Sequence, residues 1–371
     1  VETGETLETR GDRDIFTVIN RTPNVNALSG YLDFSIRGIS ATGGVGAGRT
    51  ITTQVDGVAL PVSRSIRNGP ISLWDLEQVE VIRGPQSTQQ GRNALAGAII
   101  FRSKDPTFYP EYRARLELGS DDFNRFAFSV NQPILQDRLA LRFSAEKTES
   151  DGFIFNATRG EPAFPNGLET YRAKLLWAPT DRFEAIVSYT HTNGEGHTNS
   201  FLGGSADSPP VVNFEDPQVR TNDNDILGLR LSYDISDTFT LESETDYLID
   251  DSLSATTTEG GPPDAVVLFG DARRKVFEQD FRLRFDTETV RGVVGAFYTN
   301  IDDEREGSQI VRQPNGNVFL TNLFDLRTEN YALYGEVDVL ADRWLQGLSF
   351  TFGARYDVEK FESQTSTFLG T

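Results

Sequence analysis

Metal ligation is the first chemistry the side chains allow. The two histidines of the chain, His191 and His197, stand six residues apart with Glu195 between them, and two imidazoles with a carboxylate can hold a transition metal. That spacing is not the one-turn pair of a helical zinc motif. With Gly194 and Gly196 interleaved, the segment reads as a solvated loop after a strand, and no resident metal is expected. Gly43 to Gly48 has the look of a phosphate loop, but Arg49 stands where the third glycine of a dinucleotide fingerprint belongs. It reads as a flexible loop, and no cofactor is expected. No nucleophile elbow, zinc-protease motif or Lys-containing phosphate loop occurs, so no catalytic residue is assigned and an enzyme is not the reading. Acidic runs such as Asp302-Asp303-Glu304 read as a solvated face; the alternative is a surface holding divalent cations or a cationic ligand.

Bulk composition narrows the partners. The 371 residues hold 35 Lys+Arg against 55 Asp+Glu, a net charge of −20 with a pI near 4.6, which argues against nucleic acid because phosphate binding needs clustered basic side chains. Cysteine is absent, so disulfides, thiolate zinc sites and thiol catalysis are excluded within these residues. Methionine is absent too, position 1 included, and no charged-then-apolar leader opens the chain; the reading is a processed or truncated start. The longest apolar stretch runs from Ala94 to Phe101, far short of the roughly 20 residues of a spanning helix. A membrane β-barrel escapes that exclusion, since its strands need about 10 residues with every second one apolar.

Alternation of that kind fills the chain beyond residue 110. Phe277, Gln279, Phe281, Leu283 and Phe285 interleave with Glu278, Asp280, Arg282, Arg284 and Asp286, and Leu348, Phe350, Phe352, Ala354 and Tyr356 with Thr351, Arg355 and Asp357. Eleven such segments lie near 112–118, 124–131, 138–148, 170–177, 182–191, 225–234, 239–248, 276–286, 290–300, 329–340 and 347–358. Short turns, as at 178–181 and 287–289, alternate with long connections at 149–169, 192–224, 249–275 and 301–328. Short turns at one end and long loops at the other characterise an outer-membrane barrel; the alternative is a soluble propeller. In the barrel reading Phe281, Leu283, Phe285, Phe350 and Phe352 face lipid, while Arg282, Arg284, Glu242 and Glu244 face inward.

The first 110 residues differ. They carry 11 basic and 11 acidic side chains, so the whole net charge lies beyond them. A helical turn from Asp14 to Asn20, ended by Pro23, and short strands at Ile51 to Val55, Val79 to Ile82 and Ala98 to Phe101 point to a compact α+β domain. Four motifs follow in series: Ile36-Arg37-Gly38, Val55-Asp56-Gly57-Val58, Asp75 to Pro85 with Arg83-Gly84-Pro85, and Gly91-Arg92 to Ile99 with Gly97. In order and spacing they resemble the plug of TonB-dependent outer-membrane receptors, and phrases such as Tyr331 to Asp338 extend the resemblance along the rest.

The resemblance implies a mainly β architecture: a small plug over 1–108 and, over 109–371, the N-terminal half of a transmembrane antiparallel barrel, about 11 of an expected 22 strands. The chain then reads as a fragment, with Phe368 to Thr371 in an outer loop and the TonB-contacting segment outside it. The implied function is TonB-dependent uptake of a scarce ligand across the bacterial outer membrane, a ferric siderophore first, with vitamin B12, haem or oligosaccharides open. Implied partners are TonB with its inner-membrane complex, outer-membrane lipid and lipopolysaccharide. A passive adhesin or phage receptor is the alternative. Arg49, Arg64, Arg67 and Trp74 fall on the implied ligand-facing apex, where in one reading the arginines pair with an anionic iron chelate and Trp74 stacks on an aromatic group or a sugar, and in the other Trp74 anchors the plug core and the arginines face solvent. Arg37, Gly38, Asp56, Gly57, Arg83, Gly84, Pro85, Arg92 and Gly97 carry the plug motifs and its wall contacts. Arg83 and Arg92 pair with Glu242, Glu244 and Glu278 in one reading, and locally or with water in the other.

Overall fold

The computed structural model describes residues 1–12, 15–27, 34–40, 51–60, 71–84, 96–152, 154–196, 211–215, 219–257, 266–311, 318–341 and 348–370. The chain enters through β1 (Glu2–Thr3) and α1 (Gly4–Arg10). Thr3 caps this helix with its side-chain oxygen 3.2 Å from the Thr6 amide, and Gly11 closes it in the left-handed region. The reading of the sequence has no helix there, because the capping threonine precedes a single buried apolar side chain, Leu7, too little to show a period. The second helix, α2 (Ile15–Arg21), falls where the pattern places it.

These helices pack on a five-stranded sheet of β1, β2 (Ile51–Val55), β3 (Val58–Ala59), β4 (Leu76–Arg83) and β5 (Gly97–Ser103), ordered β1-β4-β5-β2-β3. Leu7, Ile15, Ile19, Val58, Leu76, Val79, Ile99 and Phe101 form its core. Gly97 lies opposite Arg83 with φ 152°, and a Cβ there would stand 2.1 Å from the Ile82 carbonyl oxygen. Neither strand can give way cheaply, since the obstacle is backbone. Gly97→Ala is therefore expected to destabilise this unit by about 1–3 kcal/mol, read as a lower urea midpoint; an unchanged midpoint would contradict the close approach.

From Glu111 the chain is one antiparallel meander of eleven strands in sequence order. They are β6 (Glu111–Leu118), β7 (Asn124–Leu135), β8 (Leu139–Ser150), β9 (Asn166–Thr180), β10 (Phe183–Gly196), β11 (Val219–Asp234), β12 (Phe239–Thr257), β13 (Val266–Asp286), β14 (Val290–Val311), β15 (Val318–Leu340) and β16 (Ser349–Gly370). The pleat sends alternate side chains to opposite faces. On β9, Thr170, Arg172, Lys174 and Leu176 are buried on the inner face, Arg172 and Lys174 against the N-terminal unit, while Tyr171, Leu175 and Trp177 are exposed. Phe281, Phe350 and Phe352 are exposed on the outer face as the alternation requires, and Leu283 and Phe285 are half-buried. Arg282 pairs with Glu244 at 3.2 Å, and Arg284 with Glu242 at 3.0 Å.

Strand length is where sequence and structure part. Strands β13 to β16 run 21–23 residues, about twice what a crossing needs. Most of the connection expected at 249–275, and of that at 301–328, is paired strand, and β16 extends through Phe368 rather than ending in a loop. The outward residues change character along each strand. On β13, Phe281 and Phe277 give way to Lys275 and Arg273; on β15, Leu333 and Tyr331 give way to Arg327 and Asp325. Apolar alternation stops at that boundary while the hydrogen-bonded ladder continues. Within 149–169, residues 155–156 and 161–162 pair with each other, and 155–156 also with 211–212; Ile154, Phe164, Val212 and Phe214 form a small core of their own.

Candidate functional site: the contact between the N-terminal unit and the wall

The concave face of the meander holds the N-terminal unit by an apolar and a polar set of contacts. Ile226, Leu248 and Val276 of β11, β12 and β13 join the core of that unit directly. The polar set is carried by alternate inward positions of β6 to β9, where basic side chains repeat at Arg113, Arg125, Arg142, Arg172 and Lys174.

Asp75 is its centre. It sits in a turn at φ 58° before β4, is 2% exposed, and accepts from Arg142 at 2.8 Å (Nε) and 2.5 Å (Nη2). Arg113 approaches the same carboxylate at 3.5 Å, and pairs with Glu8 of α1. Arg142 also donates to Glu111 at 2.8 Å. Next to Asp75, the Ser72 hydroxyl donates to Glu146, which holds Arg125 at 2.5 Å. Arg172 donates to the Trp74 carbonyl at 2.7 Å and the Ser72 carbonyl at 3.1 Å.

Of the two readings of Trp74, its surroundings are those of an anchor. It is 2% exposed, its indole N–H donates to the Phe128 carbonyl at 3.0 Å, and Arg113 covers its ring at 4.6 Å. Its faces are committed to the wall. Arg49, Arg64 and Arg67 lie outside the described residues, as do Pro85 and Arg92.

A second contact lies at the Asp56-Gly57 turn. Asp56 accepts from the Ser103 amide at 2.7 Å and its hydroxyl at 2.5 Å, and Lys174 stands 3.4 Å away. Gly57, at φ 96°, comes close to the wall: an added Cβ would lie 2.3 Å from Glu244 Oε1, and that carboxylate would have to swing aside. The Ala59 amide donates to Glu278 at 3.2 Å. Glu244 and Glu278 thus meet this turn instead of Arg83. Arg83 donates to the Pro23 carbonyl at 3.0 Å, and Gly84 lies beside Arg37, whose amide donates to Asn24 at 2.7 Å with Gly38 following at φ 80°. The Arg37-Gly38 and Arg83-Gly84 motifs therefore build one internal turn cluster.

The segment joining the two parts is tied down as well. Lys174 donates to Asp105 at 3.0 Å, Arg230 pairs with the same carboxylate, and Asn131 donates to the Thr107 carbonyl at 2.9 Å and the Tyr109 carbonyl at 2.5 Å. Burial raises the Asp105 carboxyl, but Lys174 and Arg230 outweigh it and hold it below the usual aspartate value. A depressed folded pKa contributes stability that is complete above the unfolded pKa of about 3.9 and is lost as pH falls through the lower folded value. The stability difference between wild type and Asp105→Asn should accordingly stay flat from about pH 7 to about pH 5 and shrink below about pH 4. A collapse already between pH 7 and 5 would contradict it.

The sequence matches two family models: the TonB-dependent Receptor Plug Domain over residues 1–98 and the TonB dependent receptor-like β-barrel over 189–370. The chain belongs to the TonB-dependent receptor family. The N-terminal unit is its plug and the meander its barrel wall, which places the protein in the bacterial outer membrane. Among relatives, the catecholate siderophore receptor Fiu of Escherichia coli K12 is 26% identical over 263 residues, covering 65% of this chain and 33% of Fiu. The ferrioxamine B receptor of Salmonella typhimurium is 30% identical over 133 residues, 35% of this chain and 18% of that protein. The crystal structure of the ferric yersiniabactin uptake receptor FyuA from Yersinia pestis superposes with a TM-score of 0.79 at 19% identity, covering 98% of this chain and 61% of FyuA. The chain matches a third or less of the length of these two relatives.

The sequence reading missed the Asp75 cluster. A signal for it was present: five inward basic positions on neighbouring strands, in a chain whose net charge is strongly negative, need an acidic partner inside.

Proposed function

We propose that this chain is the plug, residues 1–108, and the first half of the barrel, 109–371, of a receptor that takes up a ferric siderophore by TonB-dependent transport. The observation that carries this reading is the plug itself, a folded unit seated on the wall through buried ion pairs alongside the apolar contacts of Ile226, Leu248 and Val276. A filled lumen blocks diffusion of a large ligand, so work must reach the plug from the periplasmic side. Discrete polar contacts hold it in register and separate one at a time. Siderophore specificity is supported by the names of the relatives, whose ligands include ferrioxamine B, catecholates and yersiniabactin. Arg49, Arg64 and Arg67 are proposed to face the anionic chelate at the apex, where guanidinium groups suit carboxylate and catecholate oxygens. The plug and barrel are proposed to act by binding and transport without catalysis.

The test is iron uptake by cells carrying the full-length receptor, with and without TonB. Surface binding of a radiolabelled ferric siderophore should persist in both, and accumulation should vanish without TonB. Accumulation independent of TonB would leave a passive barrel. Absence of any siderophore binding would leave an adhesin or phage receptor, or a different nutrient.

A further inference from the structure

A histidine and two aspartates come together on the opposite face of the wall from the plug. His191 on β10 is the direct cross-strand partner of Asp225 on β11, and Asp223 lies two residues along on the same face. Tyr189, two residues before His191, is exposed, as is Leu227, two residues beyond Asp225, so the group stands at the rim of the outward apolar band. The sequence places His191 at the start of a mobile loop; the ladder instead continues through Gly196 and fixes it on a strand. His191 Nδ1 lies 3.0 Å from Asp225 Oδ1 and 3.8 Å from Asp223 Oδ1, and one ligand atom from each residue falls within 4.8 Å of the others.

We propose that His191, Asp223 and Asp225 form a binding site for a divalent first-row transition metal, with zinc as the type case. Ligands about 2.0–2.2 Å from a zinc ion stand roughly 3.0–3.6 Å apart, close to the 3.0 and 3.8 Å that already separate His191 Nδ1 from the two carboxylates. Two carboxylates alone would attract a diffuse cloud of cations. The imidazole nitrogen aimed between them adds a ligand that favours zinc, copper or nickel over magnesium and calcium.

Charge and orientation support the same assignment. Among the described residues neither Asp223 nor Asp225 pairs with a lysine or arginine, whereas their neighbours Glu169 and Asp251 pair with Lys147 and Arg273. Neutral donors hold the two carboxylates instead: the Tyr189 hydroxyl donates to Asp225 at 2.5 Å and the Asn193 amide to Asp223 at 3.2 Å. The His191 ring stacks on Tyr171, with centroids 6.3 Å apart and planes 21° from parallel. The metal takes the Nδ1 lone pair of the neutral ring, in the tautomer that carries its hydrogen on Nε2. The three ligands lie on one side, so the remaining coordination positions open outward from the barrel.

Calorimetric titration of the full-length receptor in detergent with zinc ion alone tests this. Wild type should show a saturable site that His191→Ala, Asp223→Asn and Asp225→Asn each weaken by more than about tenfold, since loss of outer-shell partners alone costs about 10–100-fold. Asp251→Asn, on the neighbouring strand, should bind as wild type does. The two asparagine variants preserve side-chain shape, so they decide the matter even where His191→Ala folds poorly. Zinc binding unchanged in all three variants overturns the proposal. Displacement of zinc by a modest excess of magnesium also overturns it, because that would mark an oxygen-only site.

Discussion

Replacing Asp75 with alanine is expected to destabilise the docked plug by about 3–5 kcal/mol, the usual cost of removing one partner from a buried ion pair. Arg142 is as buried as Asp75, with 3% of each side chain exposed, and cannot shed its charge. Once the carboxylate is gone, Arg142 keeps only Glu111, and Arg113 keeps Glu8. The positive φ of Asp75 adds a second cost, because alanine tolerates that conformation less well than aspartate. Asp75→Asn separates the two effects. It retains the turn but carries no charge and turns one of the two acceptor oxygens into an NH2 donor facing Arg142, so a loss nearly as large as that of alanine assigns the effect to the charged pairing rather than to the backbone. Hydrogen exchange of the full-length receptor is the measurement: amides of β4 and β5 should lose protection while those of β11 to β14 keep theirs. Equal protection in wild type and Asp75→Ala would show that the apolar contacts of Ile226, Leu248 and Val276 hold the plug alone.

The wall was legible because its physics is periodic. A strand with lipid on one side and a polar plug on the other must alternate, and every one of the eleven segments is present in the meander, in order. The ends of the strands were not legible. Beyond the aromatic rim both faces of a hairpin meet polar surroundings, so residues such as Asp302, Glu304 and Arg327 pair in register with no hydrophobic trace of it. Motif reading placed Gly97 and the Arg37-Gly38 and Arg83-Gly84 pairs in the plug, but not what they touch, since their constraint is on backbone and turn packing. Trp74 shows the converse. An aromatic residue at this place in the sequence reads equally well as a ligand platform or an anchor, and only the position of Arg113 and the Phe128 carbonyl decides. His191 failed for a third reason: its partners lie over thirty residues away on the next long strand, a proximity that spacing along the chain cannot express.

Fixing the plug to the wall should abolish uptake completely while leaving ligand binding intact. Ser72 and Glu146 touch across the interface, and the 371 residues contain no cysteine, so Ser72→Cys with Glu146→Cys offers a defined pair for a short, cleavable bis-thiol linker. Force entering from the N-terminus meets β1 first, paired to β4 only through Glu2 with Val79 and Thr3 with Gln78, a contact too short to resist long. Next it reaches α1, which the Glu8 to Arg113 pair ties to the wall, and through Arg113 the Asp75 cluster. These contacts are loaded in series, so each breaks in turn under a load that all of them sharing it would resist. A covalent link beside Asp75 stops the sequence at that point: β1 and α1 still yield, but the segment from Ser72 to Arg83 stays on the wall and the lumen stays filled. Cleaving the linker in the same cells should restore accumulation, which controls for any damage from losing Glu146 as a partner of Arg125. Undiminished uptake with complete cross-linking would mean that the ligand passes with this part of the plug in place, and the path would have to open on the side of β11 to β14 instead.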